Sequence, residues 1–132
     1  MTTTIVNGMV RRQDGWMNDG PIHHLALPDD WAAAFSSGEY RMSTRGITLE
    51  QEGFIHCSTR DQVEGTANRF YGDVPQLVVL TIDQRAVPSP IRFEPPVPGS
   101  AELFPHIYGP LPIAAVTDAT FWIRGDAGWS ID

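Results

Sequence analysis

The sequence predicts a small α+β domain with two main helices. Three observations lead there. An apolar strand-like run is followed by a helix-like run twice in succession, in the order β-α-β-α. Several further strand-like stretches then follow without another helical period. The chain has 132 residues, 42% of them hydrophobic, which suits one domain with one core.

Residues 1–20 are polar, glycine-containing and unpatterned, and read as a flexible N-terminal arm on which Val10 and Trp16 are candidates to dock. Residues 21–132 read as the globular domain. Residues 22–27 form a short apolar run between Pro21 and Pro28, the signature of a buried strand. Pro28, Asp29 and Asp30 open a helix, since proline suits its first turn and acids suit its positive end. Trp31, Ala34 and Phe35 lie on one helical face, and Gly38 supplies the stop. Residues 39–52 carry no period and read as a loop.

Residues 53–57 read as a second strand. Ser58-x-x-Asp61 resembles a capping box before a helix whose face holds Val63, Ala67, Phe70 and Tyr71 and which ends at Gly72. Gln76–Ile82 is β-branched and apolar, the clearest strand in the chain. Asp83 opens a turn, and Ile91–Glu94 alternates as a half-exposed strand does. Three prolines make 95–99 a loop. Residues 104–111 are so rich in Pro and Gly that they predict a shaped turn rather than regular structure. Residues 113–123 supply one last strand.

Composition narrows the function classes. The net charge is −7, from 16 acids and 9 bases, which argues against a broad nucleic-acid or anionic-membrane surface, because both need clustered cations. A small anion pocket served by a few arginines, drawn from Arg41, Arg45, Arg60 and Arg69, remains compatible with it. The single cysteine, Cys57, excludes an intramolecular disulfide and fits a reducing, cytoplasmic compartment. The first residues hold no continuous apolar stretch of the secretory kind, and no run approaches the 18 apolar residues of a membrane span. No GxGxxG or GxxxxGK[ST] is present, so neither common nucleotide loop is supported.

The chemistry-bearing residues gather in three motifs: His24 in IHHLA, His56 in GFIHCS, and His106 in FPHIYGPL. Neighbours on a strand point to opposite faces. His23 and His24 therefore cannot serve one site together, whereas His56 and Ser58 share a face and Cys57 turns towards the core. His56 and Ser58 read either as an imidazole and hydroxyl aimed at one ligand, or as a polar core residue and a helix cap. His106 and Tyr108 sit where Pro105, Gly109 and Pro110 stiffen the chain, a ligand wall or a corner packed for stability. Glu94 is a candidate acid or base at a strand end. Three histidines also suggest a metal-dependent alternative using His24, His56 and His106. No HExxH or CxxC pattern supports it, and no metal is expected. Nothing marks Cys57 as a nucleophile, and no GxSxG places Ser58 on a nucleophile elbow.

IHHLA, Trp31, Gly38-Glu39-Tyr40, GFIHCS, Gln62, Ala67-Asn68, Phe70-Tyr71, LVVLTID, Phe93-Glu94 and FPHIYGPL together resemble the domain of unknown function 952 family, from about residue 21 to 121. His23 stands where that pattern has an aromatic, which leaves His24 as the match. The layout is similar to the ADP-ribosyltransferase-like superfamily, in particular its RNA 2′-phosphotransferase branch. The resemblance implies a small split sheet cupping NAD⁺, a nucleotide-like small molecule as partner, and transferase or glycohydrolase chemistry on the nicotinamide–ribose bond. It places His24 on the nicotinamide-side ribose and His56 and Ser58 along the second strand of the pocket. Either Glu94, or His106 with Tyr108, fills the third catalytic position. Tyr108 also joins the cofactor-binding set. A non-catalytic nucleotide- or metabolite-binding module is the alternative of a different class.

Overall fold

The computed structural model describes residues 20–130 in full and the backbone of 4–6, 9–12 and 15–18. In chain order the elements are β1 (Thr4–Val6), β2 (Met9–Arg12), β3 (Gly15–Asn18), β4 (Ile22–Ala26), α1 (Pro28–Ser37), β5 (Glu39–Tyr40), β6 (Met42–Thr44) and β7 (Ile47–Thr48). There follow α2 (Leu49–Glu52), β8 (Ile55–His56), α3 (Val63–Phe70), β9 (Gln76–Ile82), β10 (Ile91–Glu94), β11 (Phe104–Ile107), β12 (Leu111–Pro112) and β13 (Val116–Ile123). All named strand pairs are antiparallel, and the fold is α+β as predicted.

Two three-stranded sheets position everything that follows, one in the order β13-β9-β4 and the other β10-β11-β8. Along β4 and β9 the side chains alternate between two cores. Ile22, Val78, Leu80 and Ile82 join the main core with Ala34 and Trp31 of α1, and Ile55 and Ile107 of the second sheet complete it. Leu25 and Leu77 point the other way and pack with Val63 and Ala67 of α3, and with Tyr71 and Trp129. A helix on each face explains why β4 and β9 read as unbroken apolar runs. Each fully buried Ile or Leu contributes about 2 kcal/mol.

α1 follows its sequence signals closely. Pro28 opens it, Asp29 and Asp30 lie in its first turn, and Gly38 closes it in the left-handed region at φ 83°, donating its N–H to Ala34 O at 2.9 Å. Only Gly escapes the Cβ cost of that conformation.

Several expectations are corrected. Residues 39–52 are not a loop but hold β5, β6, β7 and α2, elements too short to show a period. Residues 104–111 are not merely a turn, because β11 runs straight through Pro105. The second strand is shorter than 53–57, since Gly53 (φ 98°) is still closing α2. Ser58 does not cap the next helix. The box lies one residue later, with the Thr59 N–H donating to Gln62 Oε1 at 3.0 Å ahead of a 3₁₀ turn, Arg60–Gln62. α3 stops at Phe70, before Gly72, and Phe70 itself is 58% exposed rather than on the buried face. Within the stretch read as an arm, β1, β2 and β3 form a small meander of their own. The docking of Val10 and Trp16 concerns side chains outside the described residues.

Candidate functional site

The two sheets meet at one point. β4 is an edge of the first and β8 an edge of the second, and among the described residues only His23 and Ser58 join them by a backbone β-bridge. The His23 N–H donates to Ser58 O at 2.8 Å, and the Ser58 N–H to His23 O at 2.7 Å. Pro105 explains the crossing. Its carbonyl accepts from the Cys57 N–H at 2.9 Å, but proline has no N–H to return. The β8–β11 ladder is one-sided there, and the chain at Ser58 pairs with β4 instead.

His24 bridges the gap that opens next to this crossing. Its Nδ1 lies 2.6 Å from His56 O and its Nε2 lies 2.9 Å from the Tyr40 hydroxyl. A carbonyl only accepts, so Nδ1 carries the proton and Nε2 accepts from Tyr40 O–H. Burial pushes the His24 pKa down to about 4, against the opposing pull of the His56 carbonyl. The ring is neutral at physiological pH, and both of its nitrogens are engaged by the protein.

Where β4 and β8 part, a cleft of about 250 Å³ opens. His24, Ser43 and Ser58 form its inner, nearly sealed part, while His56, Arg69 and Phe70 lie towards its mouth. Hydroxyls dominate its polar lining. Ser58 Oγ donates to Thr66 Oγ1 at 3.3 Å, and Thr44 Oγ1 lies 2.9 Å from the Tyr71 hydroxyl. Ser43 Oγ is fully buried and has no hydrogen-bond partner among the described residues. Among the described residues no Asp or Glu lines the cleft.

The remaining predicted residues gather beside it, on one face of the second sheet. Register sets Arg92, His106 and His56 side by side across β10, β11 and β8. His106 is 1% exposed and its Nδ1–H donates to Glu94 Oε1 at 2.9 Å. Tyr108 donates its hydroxyl to the same oxygen at 2.5 Å. Those two donors hold the Glu94 carboxyl below its ordinary pKa, and Glu94 in turn raises that of Tyr108. Phe54 stacks on His106 at 4.1 Å between centroids and meets the edge of His56 at 4.7 Å. His56 and His106 stand nearly perpendicular, 5.0 Å apart. Desolvation lowers the His56 pKa, the nearby His106 adds to this, and Glu52 at 3.5 Å opposes it.

His24, His56 and Ser58 therefore share the cleft, whereas Glu94, His106 and Tyr108 do not line it and connect to it through His56. His23 points to the other face of β4, where Nδ1 lies 3.3 Å from Thr81 Oγ1. Among the four arginines considered, Arg41 pairs with Glu39 and Glu50, Arg45 pairs with Asp73, and only Arg69 reaches the cleft. Cys57 packs in the main core and also borders the cleft, and burial raises its thiol pKa. Among the described residues no three His, Cys, Asp or Glu side chains gather as a metal-holding group. Tyr40 and Ser43 were missed by sequence reasoning. Tyr40 belongs to the resemblance string, but nothing local marks it as the partner of a residue 16 positions away. Ser43 lies in the stretch without a period.

The family described as Protein of unknown function (DUF952) matches residues 25–119. The chain belongs to this family. The DUF952 match covers β8, β10 and β11 with His56, Ser58, Glu94, His106 and Tyr108, and begins one residue after His24. The chain is similar to protein CC0527 from Caulobacter crescentus. The crystal structure of that protein superimposes with a TM-score of 0.71 at 26% identity, covering 83% of this chain and 91% of that one. A crystal structure of its double mutant gives 0.70 at the same identity and coverage. Its solution NMR structure gives 0.67 at 27% identity, covering 83% and 90%. No curated protein matches the DUF952 chain.

Proposed function

We propose that the cleft between β4 and β8 binds a small nucleotide-like molecule, with NAD⁺ the first to test. The observation that carries this is the cleft itself, a mostly apolar space with a few hydroxyls at the parting of two sheets. Its volume of about 250 Å³ is slightly below the roughly 300 Å³ at which drug-sized sites begin. It suits one base-and-sugar half of a dinucleotide, with the rest outside. The likeness of the sequence layout to ADP-ribosyltransferase-like proteins supports the same ligand class. His24 contributes shape rather than a hydrogen bond, since its two nitrogens are occupied. A buried, unreactive Cys57 suits a cytoplasmic setting.

Binding without turnover is the reading that the geometry favours. Cleaving a nicotinamide–ribose bond builds positive charge on the sugar, which a nearby anion would stabilise. Glu52 and Glu94 stand behind His56 and His106 rather than in the lining. One observation favours a transferase or glycohydrolase as the second reading. The imidazole of His56 lies at the cleft mouth, is held below its ordinary pKa, and is thus available as a neutral base.

Calorimetric titration with NAD⁺ tests both. Saturable binding is expected in the unaltered protein, weakened by about tenfold in His56→Ala through loss of a ring contact and a polar partner. Release of nicotinamide on long incubation would replace the binding reading with the catalytic one. No heat at millimolar NAD⁺ would remove this ligand.

A further inference from the structure

The charge in the cleft is distributed against the character of the chain. Acids outnumber bases 16 to 9 overall, yet among the described residues the lining contains no acid and its one arginine is Arg69. Arg41, Arg45 and Arg85 each hold a carboxylate. Arg69 instead lies 5.8 Å from the centroid of the Phe70 ring and has no ion pair among the described residues. Arg69 and Phe70 are both exposed at the lip. Inside, the polar groups are neutral: an imidazole fixed in one tautomer, two hydroxyl pairs, and the hydroxyl of Ser43.

Ser43 is the second, independent observation. A buried hydroxyl without a partner is costly, because it has lost water and gained nothing in exchange. Its neighbour Thr44 does have a partner, the Tyr71 hydroxyl. Ser43 lines the cleft and is wholly covered by the rest of the protein. An unsatisfied hydroxyl there is the feature a ligand's own donor or acceptor would complete.

Resting on the reading of the cleft as a nucleotide-like site, we infer that its ligand is polarised. A neutral nucleoside part enters towards Ser43, and a phosphate remains outside on the guanidinium of Arg69. An inward phosphate would lose its water without gaining a cation, which is costly, whereas at the lip a fork of N–H donors meets it while it stays solvated. The substrate class is thus a nucleoside phosphate held by its nucleoside end.

The test compares matched pairs by calorimetry on the full chain: adenosine with AMP, and nicotinamide riboside with nicotinamide mononucleotide. In the unaltered protein the phosphorylated member of the binding pair is expected to be tighter by about tenfold, the effect of one charge-assisted contact. High salt and Arg69→Gln should both close that gap. Ser43→Ala should weaken both members by the same factor, and the unliganded variant should melt a few degrees higher, because an unsatisfied group has gone. Equal affinity of nucleoside and phosphate, or a gap that survives Arg69→Gln, would overturn the polarity. Unchanged binding in Ser43→Ala would overturn the inward anchor. Failure of all four compounds to bind would take the nucleotide reading down as well, a result distinct from binding without discrimination.

Discussion

His24→Ala is expected to lower the unfolding free energy by about 4 kcal/mol, summing a buried cavity and two polar groups left without partners. The ring is 2% exposed and lies within two hydrogen bonds, one from Nδ1 to the backbone of His56 and one to Nε2 from Tyr40. Removing it strands the His56 carbonyl at the point where the two sheets separate. Urea unfolding of the variant and of Tyr40→Phe gives the size directly. The double variant should reveal a coupling of about 1–2 kcal/mol, since the two side chains share one bond. A loss below roughly 1 kcal/mol in His24→Ala, within the range of an ordinary surface change, would mean that the bridge does not hold the sheets together.

Acid should destabilise the protein in a window set by the same ring. In the unfolded chain His24 titrates near 6.5, and in the folded chain burial brings it down to about 4. Between those values the unfolded chain binds a proton that the folded chain refuses, so stability falls as pH falls. The contribution of His24 is complete above pH 6.5 and declines by about 1.4 kcal/mol per pH unit below it, for about 3 kcal/mol across the window. His23 and His56 are also lowered and add to the slope. Glu94 and Asp73, whose carboxyls are held low, lose their share only at more acidic pH. Urea midpoints near pH 7 and about pH 4.5 check this. His24→Gln should flatten the dependence by close to one proton, and a dependence unchanged by that substitution would assign the effect elsewhere.

The parts of the fold legible in the sequence are those whose residues are buried by a rule of spacing. β4 and β9 lie between two cores and read as continuous apolar runs. α1 has its proline, its first-turn acids and its terminal glycine. The hidden parts depend on partners far along the chain. Tyr40 and Ser43 sit in strands of two and three residues, where no period can develop. β11 was obscured by Pro105, a residue that local rules exclude from a central strand. It is tolerated because that position needs to accept a bond from Cys57 and gives none back. For the site, alternation separated His23, which faces Thr81, from His24 in the cleft, but it did not divide His56, Cys57 and Ser58, all three of which border the cleft. It could not reveal that Glu94, His106 and Tyr108 form a cluster on the sheet face rather than the wall of the cleft, because that follows from the register of β10, β11 and β8.

That register has a kinetic side. His24 faces Leu80 across the first sheet, and His56 faces His106 across the second. Neither sheet can close from neighbouring segments alone, and the cleft draws its lining from His24 through Phe104. A topology so rich in distant pairings folds more slowly than a helical bundle of similar size. Half-assembled chains therefore offer no partial site. Occupancy of the cleft reports completion of the whole molecule, and any ligand that enters it acts as a brake on global unfolding.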